Sequence, residues 1–158
     1  MSTTLYPLTV YYDRACPLCR REMHALKARD RLDRLHLVDI SAADFDAGTS
    51  GFDAASLDAT LHARGADGTV LRGLDAIQAS YEAVGLGMLY RWTRAPLVRP
   101  LMDRAYRVFA AHRNTLSPFV APLVAPLIDL AMPRAESGRA CTADSCDLHD
   151  TASKKGRH

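Results

Sequence analysis

Residues 8–22 read LTVYYDRACPLCRRE, and this stretch decides the fold of the chain. Its first five residues are rich in β-branched and aromatic side chains, which predicts a strand over Leu8–Tyr12. The following segment, Pro17–Arg29, contains no glycine and no second proline, which predicts a helix. A proline fits the first helical turn, because its φ is fixed and its missing N–H is not needed there. The stretch therefore places a Cys-x-x-Cys pair, Cys16 and Cys19, where a strand leads into a helix.

This placement is typical of a thiol–disulfide redox site. Two intervening residues bring both sulfurs to one side of the first helical turn. The unpaired N–H groups and partial positive charge of that turn favour a thiolate, which predicts a Cys16 pKa below the usual value of roughly 8.5. Cys19 shares a helix face with Met23 and Leu26, and we expect this face to pack on the sheet. We therefore expect Cys16 to be the exposed attacking thiol and Cys19 to be the sheltered resolving thiol.

The cysteine pair is also compatible with two alternative hypotheses. A Cys-x-x-Cys can be half of a zinc site, and Cys141 and Cys146 could complete it. The pair could also be accidental. The strand before it and the helix after it favour the redox hypothesis, so we assign no metal ligand and no cofactor. His24, His36 and His62 lack metal-ligand spacing, and we predict that they lie at the surface.

Residues 12–22, YDRACPLCRRE, resemble the signature of the DCC family, predicted thiol–disulfide oxidoreductases named for one Asp and two Cys. Asp13, Cys16 and Cys19 match those three positions, although the family often has glycine where this chain has Arg14. The resemblance extends to residues 68–77 and 106–114, so it covers about residues 8–115. It implies a thioredoxin-like fold and oxidoreductase activity on a thiol or disulfide substrate that is either a protein or a small molecule.

Asp13 has two candidate roles, and we include it with Cys16 and Cys19 among the catalytic residues. A carboxylate three residues before the nucleophile can accept or relay a proton during exchange. An aspartate also caps turns and helix starts through its side-chain oxygens. Glu22 is predicted to be a solvated residue or a partner of the helix dipole.

The remaining pattern predicts a thioredoxin-like α/β fold with the order β-α-β, then β-β-α, over residues 1–90. A second strand at Leu35–Ile40 can lie parallel to the first through a right-handed crossover. Residues 41–56 predict a loop with one helical turn. The remaining predicted elements are a hairpin formed by residues 59–64 and 69–72 and a helix from Leu74 to Val84. Thioredoxins carry a cis-proline before the third core strand, but this chain has no proline between Pro17 and Pro96, which keeps a metal hypothesis open.

Residues 91–133 predict a helical extension packed on this domain. Residues 91–113 hold six arginines against one acid, Asp103, and we expect the arginines to face solvent. The alternative is a surface that meets an anionic membrane or an acidic partner. A helix over Leu101–His112 would pack through one apolar face, formed by Leu101, Ala105, Val108 and Phe109. Residues 116–132 are apolar but interrupted by prolines 118, 122 and 126.

Residues 134–158 predict a flexible polar tail. Its Cys141, Cys146 and His149 could bind a metal. Alternatively, the two cysteines could be plain thiols, or they could pass electrons to the Cys16–Cys19 pair by exchange.

Composition fits an ordinary globular protein. The chain has 158 residues, of which 48% are hydrophobic, and a net charge of +2 that implies no particular partner. No nucleic-acid motif accompanies the arginines, so we expect no nucleic-acid partner. No signal peptide or membrane-spanning stretch is evident, which predicts a cytoplasmic location. The substrate, the electron donor, the direction of electron flow and the oligomeric state stay open.

Overall fold

The computed structural model describes residues 3–131, which form a mixed α/β structure around one four-stranded sheet. The strand order is β2-β1-β3-β4, with β2 parallel to β1 and the other two pairs antiparallel. The strands are β1 (Leu8–Tyr12), β2 (Leu35–Asp39), β3 (His62–Arg64) and β4 (Val70–Arg72). This arrangement confirms the predicted α/β class and is consistent with a thioredoxin-like fold.

The central strand β1 fixes the core. Leu8 and Val10 are fully buried, because β1 is paired on both edges and covered by helices. Val10 pairs with Leu37 of β2 on one side and with Ala63 of β3 on the other. As a result, the chain that leaves β1 at Tyr12 enters the Cys-x-x-Cys loop from the most constrained strand of the sheet.

Helix α1 (Pro17–Lys27) follows β1 as predicted, and it buries Met23 and Leu26 against the sheet. The predicted loop after β2 instead contains two short helices, α2 (Ala47–Ser50) and α3 (Ala54–Ala59). Aspartate side chains cap both helices, Asp46 at Gly48 N and Asp53 at Ser56 N. Helix α4 (Leu74–Ala83) packs in the hydrophobic core, and its ends lie close to the predicted ones.

The C-terminal part comprises a 3-10 helix (Gly87–Arg94), α5 (Arg99–Ala111) and α6 (Arg113–Ala131). The predicted packing face of α5 is wrong, since Leu101, Ala105 and Val108 are exposed. The helix packs instead through Met102, Tyr106 and Ala110, which follow one another at intervals of four residues. The hydropathy of Leu101 and Val108 therefore did not identify the packing face of α5. The predicted division of the chain into domains at residue 90 stays a prediction.

Helix α6 is continuous through Pro118, Pro122 and Pro126, where the sequence predicted interruptions. Each proline removes one helical hydrogen bond and normally kinks or breaks a helix. The three prolines are spaced by four residues, so they share one side of α6, and all three are exposed. The carbonyl groups that lose a partner therefore lie on a side that water can reach.

Two histidines differ from the surface positions predicted for them. His62 is fully buried, with Nδ1 2.9 Å from Thr60 O and Nε2 3.2 Å from Ser56 Oγ. His24 is half-buried and lies 2.9 Å from the Tyr12 hydroxyl. The burial of these rings, full for His62 and partial for His24, is tolerated because local polar groups satisfy ring nitrogens.

Within residues 3–131, no helix combines the length and hydropathy that a membrane span requires. The predicted flexible tail lies outside the described residues, and so do Cys141, Cys146 and His149.

Candidate functional site

The Cys-x-x-Cys pair occupies the first turn of α1. Cys16 is the N-cap residue, with an extended backbone (φ −78°, ψ 112°), and Pro17 is the first helical residue. The backbone N–H of Cys19 points back at Cys16 Sγ over 3.4 Å. Here a sulfur takes the place of the oxygen that normally caps a helix, so the first turn donates a hydrogen bond to it.

The structure corrects the expected exposure of the two thiols. Cys16 is fully buried, whereas Cys19 is half-buried. The sulfur of Cys16 lies 3.4 Å from the hydroxyl of Ser117, a buried residue in the first turns of α6. The same hydroxyl accepts a hydrogen bond of 3.0 Å from Leu18 N. Helix α6 therefore covers the thiol that the local sequence would leave open.

The environment separates the acidities of the two thiols. Hydrogen bonds from the Cys19 thiol, from Ser117 and from the first-turn N–H groups lower the pKa of Cys16 to about 6, against the opposing effect of burial. The pKa of Cys19 is raised, first by its hydrogen bond to Cys16, then by burial and by the negative charge at Cys16. The geometry thus favours a thiolate at Cys16 and a protonated thiol at Cys19.

Asp13 joins this loop to α6. Its Oδ1 accepts a hydrogen bond of 2.8 Å from Ala15 N, as in an Asx turn. Its Oδ2 accepts a hydrogen bond of 3.0 Å from Arg113 Nε, and both side chains are about one-tenth exposed. The Arg113 guanidinium also donates to Asp58, to its backbone carbonyl and to its carboxylate at 2.6 Å. Both oxygens of Asp13 are therefore engaged in structural contacts.

Arg113 contradicts the expectation that the arginines of the extension face solvent. It is buried as the first residue of α6, whereas the others are exposed or, for Arg99, half-buried. Burial is tolerated because two carboxylates and a carbonyl satisfy the guanidinium.

Glu22 is neither the solvated residue nor the first-turn partner of the helix dipole that the sequence predicted. Its side chain is half-buried, and its Oε1 accepts hydrogen bonds from the hydroxyls of Tyr81 at 2.8 Å and Tyr90 at 3.5 Å. Burial raises the pKa of this carboxyl group, while the two tyrosine hydrogen bonds partly oppose the shift. Because Glu22 lies one turn after Cys19 on α1, its charge also helps to raise the pKa of the Cys19 thiol.

A surface groove opens beside Asp13 and Arg113, at the carboxyl ends of the parallel strands β1 and β2. Its wall includes the apolar side chains of Ile40, Phe45 and Leu57. Ligands of open α/β sheets commonly bind outside these strand ends. The groove lies next to the Asp13–Arg113 contact and is not lined by Cys16 or Cys19.

Within residues 3–131, no group of three or more His, Cys, Asp or Glu side chains is arranged to hold a metal ion. The zinc hypothesis depended on Cys141 and Cys146, which lie outside these residues.

Comparison with known proteins agrees with the geometry. Residues 10–118 match the model of the DCC1-like thiol-disulfide oxidoreductase family. The chain belongs to this family. The match confirms the resemblance seen in residues 12–22. It also extends into α6 and so includes both Arg113 and Ser117.

One curated relative is an uncharacterised chloroplastic protein of Arabidopsis thaliana, 34% identical over 110 residues. The aligned region covers 68% of this chain and 51% of the relative, so the chain spans about half the length of that protein. No solved structure matched the chain. The predicted cytoplasmic location stays a prediction.

Sequence analysis missed Arg113 and Ser117 as site residues. One signal for Arg113 was present, because it falls in the stretch 106–114 that carried part of the family resemblance. Ser117 gave no such signal, because a serine in an apolar segment has no partner that the sequence can identify.

Proposed function

We propose that the chain is a thiol–disulfide oxidoreductase in which Cys16 attacks and Cys19 resolves. The observation that carries the proposal is the opposite environment of the two sulfurs. Cys16 Sγ caps a helix and has a pKa of about 6, whereas Cys19 lies within the first turn and has a raised pKa. At neutral pH the attacking sulfur is thus ionised, and the resolving sulfur keeps its proton until it is needed.

The reaction proceeds by two exchanges of a sulfur–sulfur bond. The Cys16 thiolate attacks one sulfur of a substrate disulfide, which forms a mixed disulfide and releases the other substrate sulfur as a thiolate. Cys19 then loses its proton and attacks Cys16 Sγ, which forms the Cys16–Cys19 disulfide and releases the second substrate thiolate. Two electrons pass from the pair to the substrate, and a dithiol reductant returns the pair to its reduced form.

Access to Cys16 requires a displacement of α6. A fully buried sulfur cannot reach a substrate disulfide, and the Ser117 hydroxyl of α6 lies against it at 3.4 Å. We propose that the first turns of α6 move away from the loop during each cycle, and that the substrate enters from the groove beside Asp13.

Asp13 contributes to this function by fixing the loop. One of its oxygens holds Ala15 N and the other holds Arg113, which supports the capping role over the proton-relay role. We therefore propose that Asp13 is a positioning residue that holds the loop carrying Cys16.

The test follows the fate of each sulfur in the full chain with Cys141 and Cys146 replaced by serine. The reduced protein is mixed with oxidised glutathione, and the products are identified by mass spectrometry. We expect the protein with both site cysteines to form the Cys16–Cys19 disulfide and release two thiols. Cys19→Ser should stop at a mixed disulfide on Cys16, and Cys16→Ser should react far more slowly. A mixed disulfide that forms faster on Cys19 would reverse the two roles.

A further measurement separates this function from the metal-binding alternative. Elemental analysis of the full chain, purified under reducing conditions, should find no stoichiometric zinc or iron. A bound metal that Cys16→Ser abolishes would overturn the redox proposal.

A further inference from the structure

The Ser117 hydroxyl is the one group from outside the Cys-x-x-Cys loop that the described contacts place on the Cys16 sulfur. Its oxygen lies 3.4 Å from Cys16 Sγ and 3.0 Å from Leu18 N, and the residue is fully buried. The hydroxyl therefore connects α6 to the sulfur and to the backbone of the first turn of α1.

The two contacts give this hydroxyl a defined direction once Cys16 is ionised. Its oxygen accepts from the Leu18 N–H, so its own proton remains to be donated. The thiolate has no proton and accepts from donors around it. In the ionised state the polarity of the Cys16–Ser117 contact thus reverses, and O–H donates to S⁻. A hydrogen bond to an ionised group is stronger than one between neutral groups.

We infer that Ser117 is a catalytic residue that stabilises the Cys16 thiolate by donating its hydroxyl proton, and that Arg113 is the positioning residue that holds it there. This inference rests on the proposed role of Cys16 as the attacking thiol. The donation completes a set of hydrogen bonds that includes the Cys19 N–H. The proposed displacement of α6 breaks this contact, so Ser117 stabilises the thiolate in the resting enzyme, before the substrate binds.

Arg113 positions Ser117 through helix geometry. The two residues are four apart in α6, so they lie on one side of the helix one turn apart. Arg113 is fixed to Asp13 at 3.0 Å and to the Asp58 carboxylate at 2.6 Å. The turn that carries Ser117 is thereby attached to the loop that carries Cys16.

The experiment measures the Cys16 thiolate directly, by ultraviolet absorbance against pH. It uses the full chain with Cys19, Cys141 and Cys146 replaced by serine, so that one thiol titrates. Ser117→Ala should raise the Cys16 pKa by roughly one unit, which is the effect of losing one charge-assisted hydrogen bond. Ser117→Thr keeps the hydroxyl and should restore most of the shift. Ser80→Ala is the matched control, because Ser80 is a fully buried helical serine that bonds within α4, to Ala76 O.

Arg113→Lys tests the positioning role separately. Lysine keeps the positive charge but loses the planar fork that reaches Asp13 and Asp58 together. We expect a rise in the Cys16 pKa in the same direction as for Ser117→Ala but smaller, at least twofold in the ionisation constant. This variant also keeps the inference testable if Ser117→Ala fails to fold.

An unchanged Cys16 pKa in folded Ser117→Ala would overturn the inference. A lowered pKa with faster alkylation would also overturn it, because Ser117 would then act only as a cover. Failure of the proposed function is distinguishable, since it would appear as the absence of a mixed disulfide on Cys16 when Ser117 is intact.

Discussion

Two helix starts meet at Cys16, and they are built in opposite ways. The first turn of α1 is specified locally, since Cys16 caps it, Pro17 opens it and Cys19 N bonds back to Cys16 Sγ. The first turn of α6 is held by residues about one hundred positions away, through Arg113 to Asp13 and Ser117 to Leu18. In the proposed mechanism, the short stretch supplies the two thiols, whereas the distant helix controls access to Cys16 and stabilises its thiolate.

Arg113→Ala should produce the largest effect and would break the comparison most directly. It leaves the buried Asp13 carboxylate without its cation, and we expect the free energy of unfolding to fall by about 3 kcal/mol. Denaturant unfolding of the full chain checks the loss.

Arg99→Ala provides the control for that measurement. Arg99 also bridges two aspartates, Asp75 and Asp103, but these carboxylates are well exposed. We expect a loss of less than about 1 kcal/mol from this more exposed network. Equal losses from Arg99→Ala and Arg113→Ala would show that burial gives the Arg113 contacts no special weight.

The same contrast explains what the sequence could and could not predict. The strand β1, helix α1 and the Cys-x-x-Cys turn depend on periodicity, a fixed proline φ and capping, all of which act within a few residues. The burial of Cys16 depends on Ser117, and no local rule pairs residues 101 positions apart. The prediction of the α5 packing face was wrong for a related reason. Tyr106 packs on the core, and its hydroxyl accepts a hydrogen bond from Leu61 N, a partner that no hydropathy pattern reveals.

The change in the free energy of unfolding with pH should be the next largest effect. It reports on the start of α1, where the Cys16 thiolate caps the helix. The Cys16 pKa is lowered to about 6 in the folded chain, below its value in the unfolded chain. Cys16 therefore contributes stability that is present above the unfolded pKa and is lost as pH falls through about 6. We expect the free energy of unfolding to drop by on the order of 2 kcal/mol between pH of about 8.5 and about 5.5.

Cys16→Ser should remove the part of that dependence that Cys16 contributes, and the smaller fall in stability that remains at acidic pH comes from His24 and His62, because burial lowers the pKa of both rings. Cys19 has the opposite effect on stability, because its pKa is raised in the folded chain. At alkaline pH the unfolded chain loses the Cys19 proton more readily, which lowers the free energy of unfolding. Stability should therefore pass through a maximum and decline above a pH of about 9. An identical pH profile for the variant and the unmodified chain would mean that the capping thiolate makes no contribution to folding.

Substitutions at Asp13 should have intermediate effects on the free energy of unfolding. They test the contact that joins the start of α1 to the start of α6. Asp13→Asn keeps an acceptor for Ala15 N but loses the charge that faces Arg113, and we expect a loss of about 1 kcal/mol. Asp13→Ala loses both contacts and should cost about 2 kcal/mol. Two effects on the Cys16 pKa oppose each other in both variants: the loss of a nearby negative charge lowers it, and the loss of the Arg113 contact that positions Ser117 raises it, so we expect a smaller change than in Ser117→Ala.

Exchange kinetics decide whether Asp13 also transfers a proton. If its role is to hold the loop, the rate of thiol–disulfide exchange, measured at a pH where Cys16 is fully ionised, should be nearly the same in Asp13→Asn as in the unmodified chain. A large fall in that rate, with stability almost intact, would restore the proton-relay hypothesis.

Truncation after Pro133 should have the smallest effect. It tests whether residues beyond α6 contribute to stability or to the reaction of the Cys16–Cys19 pair. The deleted residues are polar and small, with few side chains able to form a core, so we expect the free energy of unfolding to change by less than about 0.5 kcal/mol. The Cys16–Cys19 couple should form at the same rate from oxidised glutathione. The matched variant keeps the full length and replaces Cys141 and Cys146 with serine. If a dithiol reductant reduces the Cys16–Cys19 disulfide more slowly in both the truncated chain and the double serine variant, at unchanged stability, the tail thiols pass electrons to Cys16 and Cys19. If only the truncated chain is slower, the effect comes from the rest of the tail.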